Sequence, residues 1–225
     1  MSIQIKSKKR VKENGEVFTN DREVKAMCDL VKIETERIDS RFLEPACGDG
    51  NFLAEILTRK LEIVKKKYKK SPIDYEKNAI LALSSMYGVD ILLDNVIACR
   101  NRLFDIWNKE YKTVCKKDCN DETRSSAKFI LCKNIVCGNA LTLCIVDDTA
   151  KDTKIPIVFS EWAFITGNQI QRSDYTFAQL LSENEKAPNN DKKQQSLFDE
   201  KENNGEGVFL RKYISHYRRL SENEW

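Results

Sequence analysis

The most constraining feature of the sequence is the stretch FLEPACGDGNFL at residues 42–53, where small and turn-prone residues separate an apolar run from a long helical pattern. The run RFLEP (41–45) predicts a short buried strand, and the apolar residues of 51–70 recur at helical spacing. A surface turn needs one or two small residues, whereas a loop that lets a ligand touch its backbone needs more. Gly48 and Gly50 therefore predict a ligand-binding turn between a strand and a helix.

Helical and strand patterns alternate through much of the remaining chain. The spacing of apolar residues predicts helices over 51–70, 75–87 and 94–107, strands over 88–91, 133–141 and 155–159, and a helix or loop over 123–132. Such alternation is typical of an α/β fold. We expect a Rossmann-like, mostly parallel sheet flanked by helices on both faces.

The ends of the chain differ in composition from its centre. Residues 1–14 predict a flexible basic arm, and residues 15–182 carry the patterned domain. Residues 183–206 are almost free of apolar side chains and predict a disordered linker. Residues 207–225 predict an amphipathic, basic C-terminal helix.

Charge and hydropathy restrict the classes of function. The 38 basic and 35 acidic residues of the 225-residue chain leave a net charge of +3, so any nucleic-acid surface must be local. No run of eighteen apolar residues and no apolar N-terminal segment occurs, which predicts a cytoplasmic protein without a membrane span.

The cysteines predict no metal site. Eight cysteines lie mostly in apolar or helical runs, as in a reducing compartment. Cys115, Cys119, Cys132 and Cys137 lack the spacing of paired zinc-binding cysteines, and His216 is the only histidine.

The residues at three predicted strand ends indicate the ligand. Glu44 stands directly before the glycine turn, where an acid repels phosphate and suits a cation such as an ammonium or a sulfonium. Asp90 ends the next strand, where a carboxylate can hold ribose hydroxyls, and the amide of Asn139 can read an adenine edge. Together these groups predict a site for S-adenosylmethionine.

Four segments together resemble the S-adenosylmethionine-dependent DNA methyltransferases of restriction–modification systems, of the adenine-N6 type. They are GEVFTN, PACGDGNFL, VDI and CGNAL, and the cover motif GEVFTN comes first, as in the gamma arrangement of that family. The resemblance spans roughly residues 10–160. It implies S-adenosylmethionine as cofactor and DNA as partner.

The resemblance also implies a set of cofactor-binding residues. Together these residues would hold and cover the methionine end of the cofactor, bind its ribose and contact its adenine. In chain order they are Phe18, Thr19, Glu44, Pro45, Ala46, Cys47, Gly48, Gly50, Asn51, Phe52, Asp90, Ile91, Asn139 and Ala140.

The chain departs from this family at its catalytic tetrapeptide, [NDS]PP[YFW]. No Pro-Pro pair occurs, and the predicted strand at 155–159 is followed by Ser160, Glu161, Trp162 and Phe164, which match only by position. We therefore assign no catalytic residue. The alternatives are an inactive cofactor-binding subunit completed by a second methyltransferase or specificity subunit, a regulatory DNA- or clamp-binding module, and a methyltransferase that acts on RNA or protein.

Two further segments indicate partners. RKLEIVKKKYKK (59–70) carries seven basic residues and one acid, which suits either a solvated helix end or a phosphate contact. QQSLF, from Gln194 to Phe198, resembles the pentapeptide with which bacterial proteins bind the sliding clamp.

Overall fold

The computed structural model describes residues 7–14, 16–185 and 211–222 of the chain. Its α-helices are α1 Lys8–Asn14, α2 Asp21–Leu30, α3 Lys32–Thr35, α4 Asn51–Tyr68, α5 Pro72–Ser84, α6 Leu93–Cys115, α7 Asp121–Asn134 and α8 Phe177–Glu185. Its strands are β1 Phe42–Glu44, β2 Met86–Asp90, β3 Ile135–Asn139, β4 Cys144–Val146, β5 Asp152–Pro156, β6 Val158–Phe164, β7 Gln169–Thr176 and β8 Lys212–His216.

The fold is α/β, with a mixed five-stranded sheet in the order β1-β2-β3-β4-β5. The pairs β1–β2 and β2–β3 are parallel, as predicted. From β3 onward the pairing is antiparallel. The expectation of a mostly parallel sheet therefore holds only for the first three strands, because the turns after β3 and β4 are too short for a crossover connection.

Helices cover one face of this sheet. The side chains of Met86 and Ile135 join a single core with residues of α2, α4, α5, α6 and α7. Within that core Leu57, Leu61 and Trp107 are fully buried. The segment 123–132, predicted as a helix or loop, lies within helix α7, and the side chain of the helix N-cap, Asn120, accepts a hydrogen bond from the Thr123 backbone.

The opposite face is covered by residues of both strand β6 and helix α8, so the expectation of helices on both faces holds in part. Val89 and Val136 form a second core with Phe159 and Phe177, while β6, β7 and β8 form a separate antiparallel sheet. The segment predicted as one strand over 155–159 is divided between β5 and β6, which belong to different sheets. Ile157 and Phe159 supply apolar side chains to this second core, and Phe177 and Leu180 of α8 complete it.

The predicted C-terminal helix over 207–225 is also wrong within the described residues. Lys212–His216 form strand β8, which pairs with β7, and Tyr213 lies opposite Arg172 at a ring-to-guanidinium distance of 4.0 Å. The open edge of β7 offers backbone partners that an isolated helix lacks, and this tertiary pairing overrides local periodicity.

The predicted arm and linker lie only partly within the described residues. Of the predicted basic arm, residues 8–14 form helix α1. Residues 183–185 belong to α8, and the remainder of the predicted linker, with the clamp-like segment 194–198, lies outside the described residues. Among the helices that are described, none has the length and apolarity needed to cross a membrane.

Candidate functional site

A cleft of about 510 Å³ lies at the carboxyl ends of the three parallel strands. It is lined by Glu16, Val17, Phe18, Thr19, Glu44, Pro45, Ala46, Cys47, Gly48, Asn51, Phe52, Asp90, Ile91, Leu92, Asn95, Gly138, Asn139, Ala140 and Leu141. All of the predicted cofactor-binding residues except Gly50 therefore meet at one place. In parallel sheets this edge is where ligands bind.

The glycine turn between β1 and α4 has the backbone geometry that its sequence predicts. Gly48 and Gly50 have φ angles of +53° and +89°, which favour glycine. A Cβ atom on Gly50 would lie 2.7 Å from the Sγ atom of Cys99, and one on Gly48 would lie 3.0 Å from the ring of Phe18. The missing side chain of Gly50 allows the start of α4 to pack against Cys99 of α6, outside the cleft lining. The missing side chain of Gly48 allows the turn to pack against Phe18.

Asp90 holds the turn in place from the end of β2. Its Oδ2 atom accepts a hydrogen bond from the Gly48 backbone at 2.9 Å. Its Oδ1 atom accepts hydrogen bonds from the Leu92 backbone at 2.9 Å and from the Asn95 amide at 3.2 Å. Because a carboxylate has about four acceptor positions, Oδ2 retains one position for a ligand hydroxyl.

The segment 16–19, here called the cover segment, closes one side of the cleft. Asn51 at the start of α4 donates a hydrogen bond through its Nδ2 atom to the Thr19 carbonyl at 3.0 Å. Its Oδ1 atom accepts a hydrogen bond from Arg102 of α6. The Asn51 side chain therefore links the cover segment, the start of α4 and Arg102 of α6, in addition to lining the cleft.

The cleft is acidic. Glu16, Glu44 and Asp90 line it, and no lysine or arginine is among the described residues that do. Burial raises the pKa of Glu44, and a hydrogen bond with the Ala46 backbone partly opposes this effect. A cationic ligand would remove the cost of burying these carboxylates, whereas a phosphate group would increase it.

Cys47 lines the cleft but does not have the properties of a nucleophile. A hydrogen bond with Cys99, together with burial, raises the pKa of the Cys47 thiol well above its ordinary range. The thiolate, which is the reactive form, is therefore disfavoured. Cys47 contributes packing, and its backbone N–H donates to the Val89 carbonyl at 2.8 Å.

Asn139 lies at the cleft, but its side chain already has partners. Its Nδ2 atom donates to Asp152 at 2.9 Å, and its Oδ1 atom accepts from the Leu141 backbone at 3.0 Å. The sequence predicted the position of Asn139 at the strand end. It did not predict that Asp152 of the antiparallel strand β5 would accept a hydrogen bond from the Asn139 amide. Its Nδ2 atom also contacts the second carboxylate oxygen of Asp152 at 3.3 Å, so contact with an adenine would require the amide to share or release Asp152.

The residues considered for the missing catalytic tetrapeptide do not line the cleft. The hydroxyl of Ser160 donates to Asp174 at 2.6 Å in the second sheet. Glu161 pairs with Arg41, and Trp162 is buried. The analogy by position is wrong because these residues lie within β6 instead of following a fourth parallel strand.

One flank of the cleft is open. In a doubly wound sheet the ligand lies where strands continue in both directions from the first strand. Here β1 is the edge of the described sheet and pairs only with β2. The first four residues of β2 are buried, whereas Leu43 of β1 is 41% exposed. Among the described residues, therefore, no strand borders the cleft on the far side of β1.

Several cleft residues were not predicted, namely Glu16, Val17, Leu92, Asn95, Gly138 and Leu141. Glu16 and Val17 stand inside GEVFTN, so the motif itself could have identified them. Asn95 offered no such signal, because only the fold brings the first turns of α6 against the cover segment.

The basic stretch 59–70 lies away from the cleft. Helix α4 begins at the cleft, and a rise of about 1.5 Å per residue places Lys66 roughly 22 Å farther along. Arg59 pairs with Asp29 and Glu55. Phosphate bound to the exposed lysines of this stretch would therefore not lie at the cleft.

Within residues 7–14, 16–185 and 211–222, no group of three or more His, Cys, Asp or Glu side chains is arranged to hold a metal ion. Comparison of the chain with protein-family models, with curated proteins and with solved structures finds no match.

Proposed function

We propose that this chain binds S-adenosylmethionine and is a DNA adenine-N6 methyltransferase-like protein of a restriction–modification or phage system. The observation that supports this most is the acidic cleft at three parallel strand ends. There, Glu44, Asp90 and Asn139 come together beside a glycine turn and the cover segment.

The cleft offers a partner for each part of the cofactor. The ammonium of the methionine moiety suits the partly buried carboxylate of Glu44, and its carboxylate suits the N-terminal end of α4. The ribose hydroxyls suit Asp90, and the adenine suits the apolar wall of Ile91 and Ala140. A volume of about 510 Å³ lies in the range of small-molecule sites.

The chemistry that this cofactor supplies is an activated methyl group on sulfur. In methyl transfer the sulfur–carbon bond breaks, a nitrogen–carbon bond forms, and the amine loses a proton to solvent. Such a transfer depends mainly on positioning, which is what the residues of this cleft can provide.

Calorimetry with S-adenosylhomocysteine tests the binding proposal without assuming catalysis. We expect saturable one-to-one binding to the wild type. Glu44→Gln should weaken binding about 10- to 100-fold, because hydrogen bonds to charged groups contribute about 1.5–3 kcal/mol.

Glu62→Gln is the matched control, since Glu62 is exposed on α4 and lies roughly 16 Å along the helix from its start. Its affinity should equal that of the wild type. Absence of binding to the wild type, or equal losses in the two variants, would contradict the proposal.

A second candidate is a cofactor-binding subunit without catalysis of its own. It is favoured by the open flank at β1 and by the location of Ser160, Glu161 and Trp162 away from the cleft. Transfer of a labelled methyl group separates the candidates when DNA, RNA and protein are offered in parallel. A DNA methyltransferase labels DNA alone, whereas the subunit binds S-adenosylhomocysteine and labels nothing.

A further inference from the structure

Arg10 of α1 forms ion pairs with two segments that border the cleft. Its guanidinium contacts both carboxylate oxygens of Glu16, at 2.6 Å and 2.7 Å. It also donates to Asp94 at 2.6 Å and to the side-chain oxygen of Asn95 at 3.3 Å, both at the start of α6. One side chain thus connects the N-terminal helix, the cover segment and α6.

The contacts continue from Arg10 to the glycine turn. The Asn95 amide donates to Glu16 at 2.8 Å and to Asp90 at 3.2 Å. Asp90 in turn accepts from the Gly48 backbone at 2.9 Å. Displacement of Glu16 would therefore remove a contact of Asn95, and with it the support of Asp90 from that side.

The carboxylates around the cleft repel one another, and the Arg10 guanidinium offsets part of this repulsion. Glu16, Glu44 and Asp90 line the cleft, and Asp94 lies in the first turn of α6, directly before the lining residue Asn95. The Glu16 side chain is only 7% exposed, and an unpaired carboxylate in such a position is costly. The pair with Asp94, which is 54% exposed, contributes less because solvent screens it.

We propose that Arg10 is a positioning residue, which holds the cover segment over the cleft through Glu16 and thereby raises ligand affinity. This inference rests on the proposed cofactor-binding function. Residues 8–12 contribute no side chain to the described hydrophobic core. Removal of the Arg10 charge should therefore cost stability at the cover segment, where Glu16 loses its partner, and leave the hydrophobic core intact.

The test compares Arg10→Met with Lys12→Met, which removes the same charge from an exposed position on the same helix. We expect Arg10→Met to weaken S-adenosylhomocysteine binding at least about fivefold, as is typical of a coupling between sites. Lys12→Met should bind like the wild type. Arg10→Lys, which keeps the charge but loses the planar fork, should restore part of the affinity.

A double-mutant cycle with Glu16→Gln asks whether Arg10 acts through Glu16. The effect of Arg10→Met should be much smaller in the Glu16→Gln background, because the two residues act as a unit. Hydrogen exchange of the backbone amides of residues 16–20 should be faster in Arg10→Met without ligand. A role in folding alone would instead lower the thermal midpoint without changing this local exchange.

Each outcome decides between the two proposals. Equal affinities for the wild type and Arg10→Met, or an undiminished effect in the Glu16→Gln background, would overturn the role of Arg10 while leaving cofactor binding intact. Failure of the wild type to bind S-adenosylhomocysteine would refute both.

Discussion

The burial of Lys60 predicts how the stability of this protein depends on pH. Its side chain is fully buried beneath the segment that leads into β1. Its Nζ atom donates to the carbonyl of Ile38 at 3.2 Å, to the carbonyl of Ser40 and to the hydroxyl of Ser85 at 2.7 Å. No carboxylate is among these partners, and burial lowers the pKa of Lys60 from 10.5 to about 7.

The lowered pKa determines how stability depends on pH. Above pH 7 the folded state releases the Lys60 proton, whereas the unfolded state keeps it up to about pH 10.5. The unfolded state therefore binds more protons in this window, and the free energy of unfolding rises with pH. Between about pH 6.5 and pH 9 the gain is about 2.5 kcal/mol. The three hydrogen-bond acceptors stabilise the charged ammonium of Lys60, so about 2.5 kcal/mol is the upper end of the expected gain in the free energy of unfolding.

The assay is urea unfolding of the wild type and of Lys60→Met at several pH values. Subtraction of the two curves removes the other titrating groups, including the cysteines. The difference should rise with pH, and any constant offset from the unpaired carbonyls does not alter its slope. Lys66→Met, exposed on the same helix, should give a flat difference. A flat or falling difference for Lys60→Met would refute the reasoning.

Three further predictions concern the cleft and its supports. Gly50→Ala should lower stability by about 2–4 kcal/mol in thermal unfolding, because the new methyl meets Cys99 and the φ angle of +89° disfavours alanine; full stability would exclude this clash. Glu76→Gln should cost about 3 kcal/mol in urea, since this buried carboxylate pairs with Arg218 at 2.6 Å and holds the C-terminal segment; an unchanged midpoint would contradict that role. Glu44→Gln should stabilise the ligand-free protein at pH 7 in urea unfolding, because the raised pKa of Glu44 penalises folding there, and the gain should vanish below about pH 4, where the carboxyl is protonated in both states.

The local elements of the parallel region could be read from the sequence. Helix α4 follows the apolar spacing of 51–70 closely. Pro45 and the glycines fixed where β1 ends. These signals are local, so neighbouring residues alone decide them.

The C-terminal half shows where local signals fail. KYISH fits a helix by periodicity, yet it forms β8 because the edge of β7 is available. The segment 155–159 lies across the boundary between two sheets, which no pattern in it indicates. Pairing between distant strands depends on partners that local spacing does not encode.

The sequence by itself determined that a glycine turn, an acid and an amide stand at three consecutive strand ends, since the carboxyl ends of parallel strands share one edge. Only the tertiary structure decided what surrounds them. It brought Arg10 to Glu16, engaged the Asn139 amide with β5, and left β1 at the edge of the described sheet. The first two contacts join residues 6 and 13 positions apart, and Arg10 also reaches Asp94, 84 positions away. The free energy that selects among them comes from burial and charge pairing across the whole fold.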